Sequence, residues 1–170
     1  MSLLTIVNCL DPILRKKCRQ VDNIDDSLIT LTENMIETMY KARGLGLAAN
    51  QVGVSSGLFV IDIGIEKEKR DPVVIVNPEI TASEEEVLGE EGCLSIPEMF
   101  AEIKRAQRVE VKGYDLKGCE VRYEAEGFLA RAFQHEMDHL NGILFWDSLS
   151  KVKRDILKRK FKKKLRELEG

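Results

Sequence analysis

The segment Gln134-His135-Glu136-Met137-Asp138-His139 contains both histidines of this 170-residue chain. On a helix, residues four apart lie on one face, so the two imidazoles can reach a single metal ion. Glu136 lies beside the first histidine, and its carboxylate can move protons without binding the metal. This pattern is typical of sites in which a bound water becomes a nucleophile near neutral pH.

The residues around this segment predict a buried helix. Helical spacing runs from Phe128 to Leu140, and Asn141-Gly142 is a stop signal. Buried histidines need polar partners, and Asp138 could anchor one of them, although it could equally pair on the outer face of the helix. An alternative, in which both histidines are ordinary surface or core residues, is weakened by the apolar flank formed by Phe128, Leu129, Ala132 and Phe133.

A catalytic metal site needs a third protein ligand and one open position. The chain has no third histidine, and Glu167 and Glu169 lie in a basic tail, where they are more simply surface charges. Cys93 is a better candidate, because it follows a glycine and precedes the turn at Pro97. A thiolate beside a divalent cation is deprotonated. A lone cysteine is more often a small buried residue, so both interpretations stay open.

A third segment, Gly44-Leu45-Gly46-Leu47-Ala48-Ala49-Asn50-Gln51, is rich in small residues. It fails the dinucleotide-binding fingerprint, because it lacks a third glycine at position 49 and no strand precedes it. Small residues let the backbone of a ligand approach closely, and the amide of Gln51 can donate to a developing oxyanion. A helix C-cap at Gly44 followed by a tight turn would also explain the glycines.

Hydrophobic periodicity predicts the other elements of one compact domain, residues 1–170. Buried strands give continuous apolar runs, and a half-exposed hairpin gives alternation. The predicted elements are a short turn at 11–15, a helix from about Asp26 to Arg43, strands at 57–63 and 73–76, a hairpin between Arg105 and Glu126, and a last helix over about 148–168 within a basic C-terminal segment, 148–170.

Charge is distributed unevenly along the chain. Residues 151–170 carry ten Lys or Arg and three Asp or Glu, a net charge of +7. Because the whole chain has a net charge of −3, the other 150 residues have a net charge of −10. A basic tail on an acidic body predicts an acidic partner, most plausibly nucleic acid. The alternative is a solvated helix face, but the clusters Lys158-Arg159-Lys160 and Lys162-Lys163-Lys164 exceed what packing requires.

Composition also predicts the cellular location. The start of the chain, Met1-Ser2-Leu3-Leu4-Thr5, has no cationic lead and no long apolar run, and no stretch approaches 18 apolar residues. We therefore expect a cytoplasmic protein that does not enter a membrane. Its four cysteines, which form no C-x-x-C pair, are then expected to be reduced thiols: Cys9, Cys18, Cys93 and Cys119.

Taken together, the three segments resemble the peptide deformylase family. The resemblance rests on the motifs G-L-G-L-A-A-N-Q (44–51), E-G-C-L-S (91–95) and Q-H-E-M-D-H (134–139) in that order, and it covers residues 1 to about 150. It implies an α+β fold, in which antiparallel sheets wrap around a central helix bearing the HExxH motif, with a C-terminal helix. It also implies hydrolysis of the N-formyl group of the initiator methionine of nascent polypeptides, with release of formate.

The resemblance assigns roles to individual residues. It implies that Glu136 acts as general base and then general acid, that the side chain of Gln51 and the backbone N–H of Leu94 hold the oxyanion, and that the backbone of Leu45 and Gly46 pairs with the substrate peptide. The implied metal ligands are Cys93, His135 and His139.

The resemblance also implies one divalent metal ion per chain. Two imidazoles and a thiolate suit both Zn(II) and Fe(II), and raw affinity favours zinc. The resemblance nevertheless implies Fe(II), with Zn, Ni or Co able to occupy the site. The implied partners are formyl-methionyl nascent peptides and, through the basic C-terminal helix, the ribosome; we expect a monomer.

One feature departs from the resemblance, and two other functions compete with it. Some family members carry an arginine shortly after the proline of the middle motif, where this chain has Glu98-Met99-Phe100, so the contacts at that edge of the substrate pocket stay open. The first competing function is an HExxH endopeptidase. The second is a non-catalytic, metal-stabilised module that binds the ribosome or RNA, which would need neither Glu136 nor Gln51.

Overall fold

The computed structural model describes residues 2–170 and has the predicted α+β class. Its strands form one five-stranded antiparallel sheet, ordered as in the chain, rather than several sheets. The strands are β1 (Gly46–Ala48), β2 (Leu58–Asp62), β3 (Pro72–Cys93), β4 (Ile96–Tyr114) and β5 (Glu120–Glu126), and the helices are α1 (Asp26–Lys41), α2 (Gly127–Leu140) and α3 (Lys151–Glu169). Among the described residues, no helix is long and apolar enough to span a membrane.

Helix α2 is the central element and carries both histidines, as predicted. The chain turns from β5 directly into α2 at Gly127, whose φ of 64° suits a residue without a side chain. The helix lies against all five strands. Phe133 is fully buried there, and its ring meets that of Phe59 edge to face at 6.1 Å between centroids. The sheet therefore fixes the position of the buried side chains of α2.

The long hairpin of β3 and β4 was only partly predicted. The strand expected at 73–76 is the beginning of β3, which continues to Cys93, and β4 starts at Ile96 after a two-residue turn. Residues 81–88 are all exposed, so this part has no buried face and shows no alternation in its sequence. Cys93 is the last residue of β3.

Helix α1 supports the strand that borders the site. Asp25 caps its first turn by accepting from the N–H of Leu28, and Met35 and Met39 pack in the same cluster as Leu47 of β1. The helix ends at Lys41, two residues before the predicted end. The left-handed residue after it is Arg43, with φ of 59°, and not Gly44.

The remaining elements agree closely with the predictions. Strands β4 and β5 form the expected hairpin, with Val111 opposite Tyr123. Helix α3 begins at Lys151, capped by Ser150, slightly later than predicted because residues 145–148 form a separate 3-10 turn. Phe161 of α3 is only 2% exposed and its ring centroid lies 6.2 Å from that of Trp146. The basic helix is therefore anchored in the core.

We expect Phe133→Ala to lower the free energy of unfolding by about 3 to 5 kcal/mol, because it leaves a cavity between α2 and the sheet. Phe128→Ala on the same helix should cost well under half as much, since Phe128 is 50% exposed. Urea unfolding of both variants without added metal measures the difference. Equal losses would contradict the central role of the α2 packing.

Candidate active site

Three candidate metal ligands converge where the end of β3 meets α2. The Sγ of Cys93 lies 3.2 Å from Nε2 of His139, which lies 3.1 Å from Nε2 of His135. All three atoms lie within 4.8 Å of one another. Metal bonds to nitrogen and sulfur are roughly 2.0 to 2.3 Å long, so donors that share one ion lie a little over 3 Å apart. The observed spacing therefore fits a single ion.

A buried carboxylate orients the first histidine. Oε2 of Glu91 lies 2.9 Å from Nδ1 of His135, which leaves Nε2 free to face the other two donors. A carboxylate partner of this kind fixes the tautomer and orientation of a metal-binding imidazole. Asp138 does not have this role, because its Oδ2 accepts instead from Nη1 of Arg105, at 2.6 Å. Of the two possibilities left open by the sequence, Asp138 takes the pairing role.

Arginine stabilises the charge of this buried carboxylate. Arg105 donates from Nε to Oε1 and from Nη2 to Oε2 of Glu91, at 2.9 and 2.7 Å. Burial opposes ionisation of Glu91, but the hydrogen bonds from Arg105 and His135 outweigh it and lower the pKa of Glu91 to about 2. Glu91 is thus an anion at every physiological pH.

The two histidines differ in their electrostatic surroundings. Burial disfavours the charged form of His135, but the hydrogen bonds of this imidazole with Cys93 and Glu91 outweigh burial and raise its pKa well above the usual value. His139 has no such carboxylate, so burial and the neighbouring His135 lower its pKa well below the usual value. An imidazole must be neutral to bind a metal, so the same surroundings that favour a proton on His135 disfavour one on His139.

Glu136 is a buried carboxyl group beside the convergence point. It is 4% exposed, and its Oε2 has no hydrogen-bond partner within the described chain. Burial raises the pKa of Glu136 to about 7. A Cβ at position 46 would lie 2.6 Å from its Oε1, so Gly46 is required to make room for this carboxyl group. An acid with this pKa can take up and release a proton near neutrality.

Gln51 is held with its amide NH2 toward the site. Its Oε1 accepts from the N–H of Ala48 at 2.9 Å, which fixes the orientation of the amide. Its Nε2 then donates to Oγ of Ser95 at 3.1 Å and lies 3.7 Å from Sγ of Cys93. The backbone N–H of Leu94 follows Cys93 directly. Both proposed oxyanion donors therefore lie next to the candidate thiolate.

A cavity of about 520 Å³ opens onto these groups. Leu45 and Gly46 form one side of it, where β1 is the edge strand of the sheet. At the mouth, Phe100 is 58% exposed and covers Gly92, since a Cβ there would lie 2.7 Å from its ring. At positions 98–100, where the sequence departs from the family pattern, an aromatic ring therefore lies at the pocket edge. The size is typical of a small-ligand pocket.

Three residues important to the site were missed in the sequence. Glu91 was quoted only as part of a motif, Arg105 only as the start of a hairpin, and Arg131 was not singled out. Arg131 is 8% exposed and donates to Oε1 of Glu91 at 3.3 Å. The available signal was Arg131 itself, a cation on the apolar face of a helix that was predicted to be buried. A buried cation requires an anionic partner, so this residue pointed to a buried carboxylate.

These features define a class of protein. Two imidazoles and a thiol converge at ion spacing, a buried carboxyl group lies beside them, and an amide donor faces the same cavity. Such a donor set with an adjacent acid–base group is the arrangement of a metallohydrolase.

Comparisons with known proteins agree. The model of the polypeptide deformylase family matches residues 3–155. A peptide deformylase of Syntrophobacter fumaroxidans is 52% identical, covering 98% of each chain. The crystal structure of a peptide deformylase from Legionella pneumophila superposes with a TM-score of 0.93 at 46% identity, covering 99% of this chain and 98% of that one. The crystal structure of the Ehrlichia chaffeensis peptide deformylase in complex with actinonin superposes with a TM-score of 0.91 at 44% identity. It covers 96% of this chain and 98% of that one. This chain belongs to the polypeptide deformylase family, whose members are metalloenzymes that hydrolyse a formyl amide.

The depressed pKa of Glu91 predicts how stability depends on pH. An acid whose pKa falls from about 4.5 to about 2 on folding contributes stability that is fully present above about pH 4.5. That contribution, about 3 kcal/mol, is lost as the pH falls to about 2. Glu91→Gln should lower the free energy of unfolding at neutral pH. The decrease in this free energy between pH 4.5 and 2 should be smaller in the variant than in the wild-type protein.

Urea unfolding at a series of pH values, with chelator present, measures this difference. Glu84→Gln is the matched control, because Glu84 lies on the same strand but is 68% exposed. Equal pH slopes for the wild-type protein and Glu91→Gln would contradict the assigned charge of Glu91.

Proposed function

We propose that this deformylase removes the N-formyl group from the initiator methionine of nascent polypeptides through the residues gathered around the α2 cavity. The observation that carries the proposal is the convergence of Cys93, His135 and His139 beside the unpartnered carboxyl of Glu136. A purely structural metal site needs no such acid–base group.

Cys93, His135 and His139 would hold one divalent ion. Bound there, the ion acts as a Lewis acid and lowers the pKa of a coordinated water toward 7. We propose Fe(II) as the native ion, with Zn, Ni or Co able to replace it. The mixed nitrogen and sulfur donor set suits these ions, whereas Mg²⁺ and Ca²⁺ prefer oxygen. The choice of Fe(II) among them rests on the resemblance to the family.

Glu136 would transfer the proton in both halves of the reaction. Its carboxylate accepts a proton as water attacks the formyl carbon and a C–O bond forms. The C–N bond then breaks, and Glu136 returns the proton to the amine nitrogen of methionine, so formate and a free amino terminus leave the site. A pKa of about 7 suits both steps at neutral pH.

Gln51 and Leu94 would stabilise the charge that appears on the formyl oxygen. The amide of Gln51 needs no reorganisation, because Ala48 and Ser95 already hold it. Preorganised donors of this kind contribute because they strengthen as charge develops, and removal of one typically costs about 100- to 1000-fold in rate.

The substrate peptide would bind along the edge of β1. The backbone of Leu45 and Gly46 would form strand-like hydrogen bonds with it, since an edge strand has one unpaired side. The cavity would then receive the methionine side chain. All the groups used lie within one chain, which supports a monomer. We propose that this monomer is a single domain, residues 1–170. We also propose that it works in the cytoplasm.

We expect Glu136→Ala to reduce formate release from formyl-Met-Ala-Ser by about 100- to 10,000-fold, the usual contribution of a general acid–base group. The variant should still bind one metal ion. Formate is measured with anaerobically purified protein reloaded with Fe(II) or Ni(II). Unchanged release by metal-loaded Glu136→Ala would contradict the assigned role.

Cys93→Ala separates the proposal from an HExxH endopeptidase. We expect it to lose both metal and formate release, because only two imidazoles would remain as ligands. Metal content is measured after gel filtration, and unformylated peptides are tested for internal cleavage. Retained metal together with internal cleavage would favour the endopeptidase.

The second partner we propose is the ribosome, bound by α3. Lys160, Lys162 and Lys163 are exposed on this helix, and several phosphate contacts would give salt-dependent, sequence-independent binding to RNA. Deletion of residues 151–170 would also remove the buried Phe161, so charge changes are the cleaner test.

Lys160→Glu/Lys162→Glu/Lys163→Glu should weaken cosedimentation with ribosomes at moderate salt and leave hydrolysis of formyl-Met-Ala-Ser unchanged. The change removes cations without altering a buried residue. Conversion of the same residues to arginine should preserve binding. Equal cosedimentation of the glutamate variant and the wild-type protein would refute the docking role of α3.

A further inference from the structure

Arg131 connects helix α2 to both strands of the β3–β4 hairpin. Its Nη2 donates to the carbonyl oxygen of Val87 in β3 at 3.0 Å, and its Nη1 donates to that of Ile103 in β4 at 2.8 Å. Nη1 also lies 3.3 Å from Oε1 of Glu91. One buried side chain thus bonds three groups of the hairpin from the helix.

The backbone of the hairpin packs closely against this guanidinium at Gly89. A Cβ at Gly89 would lie 2.8 to 3.0 Å from Nη2, Cζ and Nε of Arg131. A side chain at position 89 would therefore displace the guanidinium, or the strand itself would have to move. Gly89 has an ordinary negative φ, so close approach, rather than backbone conformation, explains the glycine.

The groups that Arg131 joins lie next to the proposed metal ligands. Glu91 is two residues before Cys93 on β3, and Arg131 is one helical turn before His135 on α2. Arg131 also lines the substrate cavity. The thiolate comes from the hairpin and the imidazoles come from the helix, so the contact between these elements sets the distance between the two kinds of ligand.

We propose that Arg131 is a positioning residue of this deformylase. It lies on α2, packs against Gly89 and holds the β3–β4 hairpin so that Cys93 stays at ligand distance from His135 and His139. The inference rests on the proposed ligand set. Arg131 acts through the hairpin and through Glu91 and contacts neither the ion nor the formyl group.

The test uses the full-length protein loaded with Co(II), whose absorption reports its ligands. A thiolate gives a sulfur-to-cobalt charge-transfer band, and the d–d bands report coordination geometry. We expect Arg131→Met to shift or weaken the charge-transfer band, to weaken Co(II) binding about 10- to 100-fold, and to lower kcat by a similar factor with little change in KM, as for other outer partners of metal sites. Arg108→Met should behave as the wild type, because Arg108 lies on β4 but is 44% exposed and away from the cavity.

Two further variants perturb the same contact without removing the cation. Gly89→Ala should displace the guanidinium and change the Co(II) spectrum in the same direction as Arg131→Met. The double variant Gly89→Ala/Arg131→Met should be no worse than Arg131→Met alone, because the two changes act on one contact. Arg131→Lys should recover part of the loss. These variants keep the test decisive if Arg131→Met does not fold.

The outcomes separate this inference from the ligand assignment. The inference requires that the wild-type protein show the charge-transfer band. If Arg131→Met then has the same band, Co(II) affinity and kcat as the wild type, Arg131 is only structural and the inference fails, even if the variant has a lower Tm. Additive effects in the double variant would also overturn it. Absence of the band from Co(II)-loaded wild-type protein would instead refute Cys93 as a ligand, and with it the basis of the inference.

Discussion

The carboxylate of Glu91 is the group on which the geometry of the site depends. It accepts hydrogen bonds from Arg105, Arg131 and His135, and its side chain is only 6% exposed. A buried ion is tolerated only when its partners surround it, so the hairpin that carries Glu91 and the helix that carries His135 must stay together. Because Cys93 follows Glu91 by two residues, the same network also controls where the candidate thiolate lies.

Sequence patterns predicted the elements that have one buried face. The helices and the β4–β5 hairpin follow from hydrophobic period, because each packs one side against the core. Strand β2 is buried on both faces and follows instead from its continuous apolar run. The candidate site was predicted from motif order: Gln51, Cys93, His135 and Glu136 line one cavity, and Nε2 of His139 lies 3.2 Å from Sγ of Cys93. The roles of these residues stay predictions. The α2 helix was predicted to within one residue.

The features that sequence did not predict depend on distant pairings or on solvent. The outer part of the β3–β4 hairpin has no buried face, so it carries no periodic pattern. The partner of His135 is 44 residues away, and no local rule chooses Glu91 over Asp138. The glycines were interpreted as room for a ligand, but Gly46 also makes room for Glu136, and a Cβ at Gly44 would lie 2.5 Å from Cδ1 of Leu94.

The anchoring of helix α3 has a consequence for how the enzyme meets a growing chain. Phe161 fixes the helix in the core beside Trp146, and Lys164 lies 3.0 Å from Glu98, which borders the cavity mouth. These two contacts join the helix to the part of the domain that carries the opening. If the ribosome binds α3 as proposed, that contact would also set the direction in which the cavity opens, and binding alone would orient the active site toward the emerging peptide.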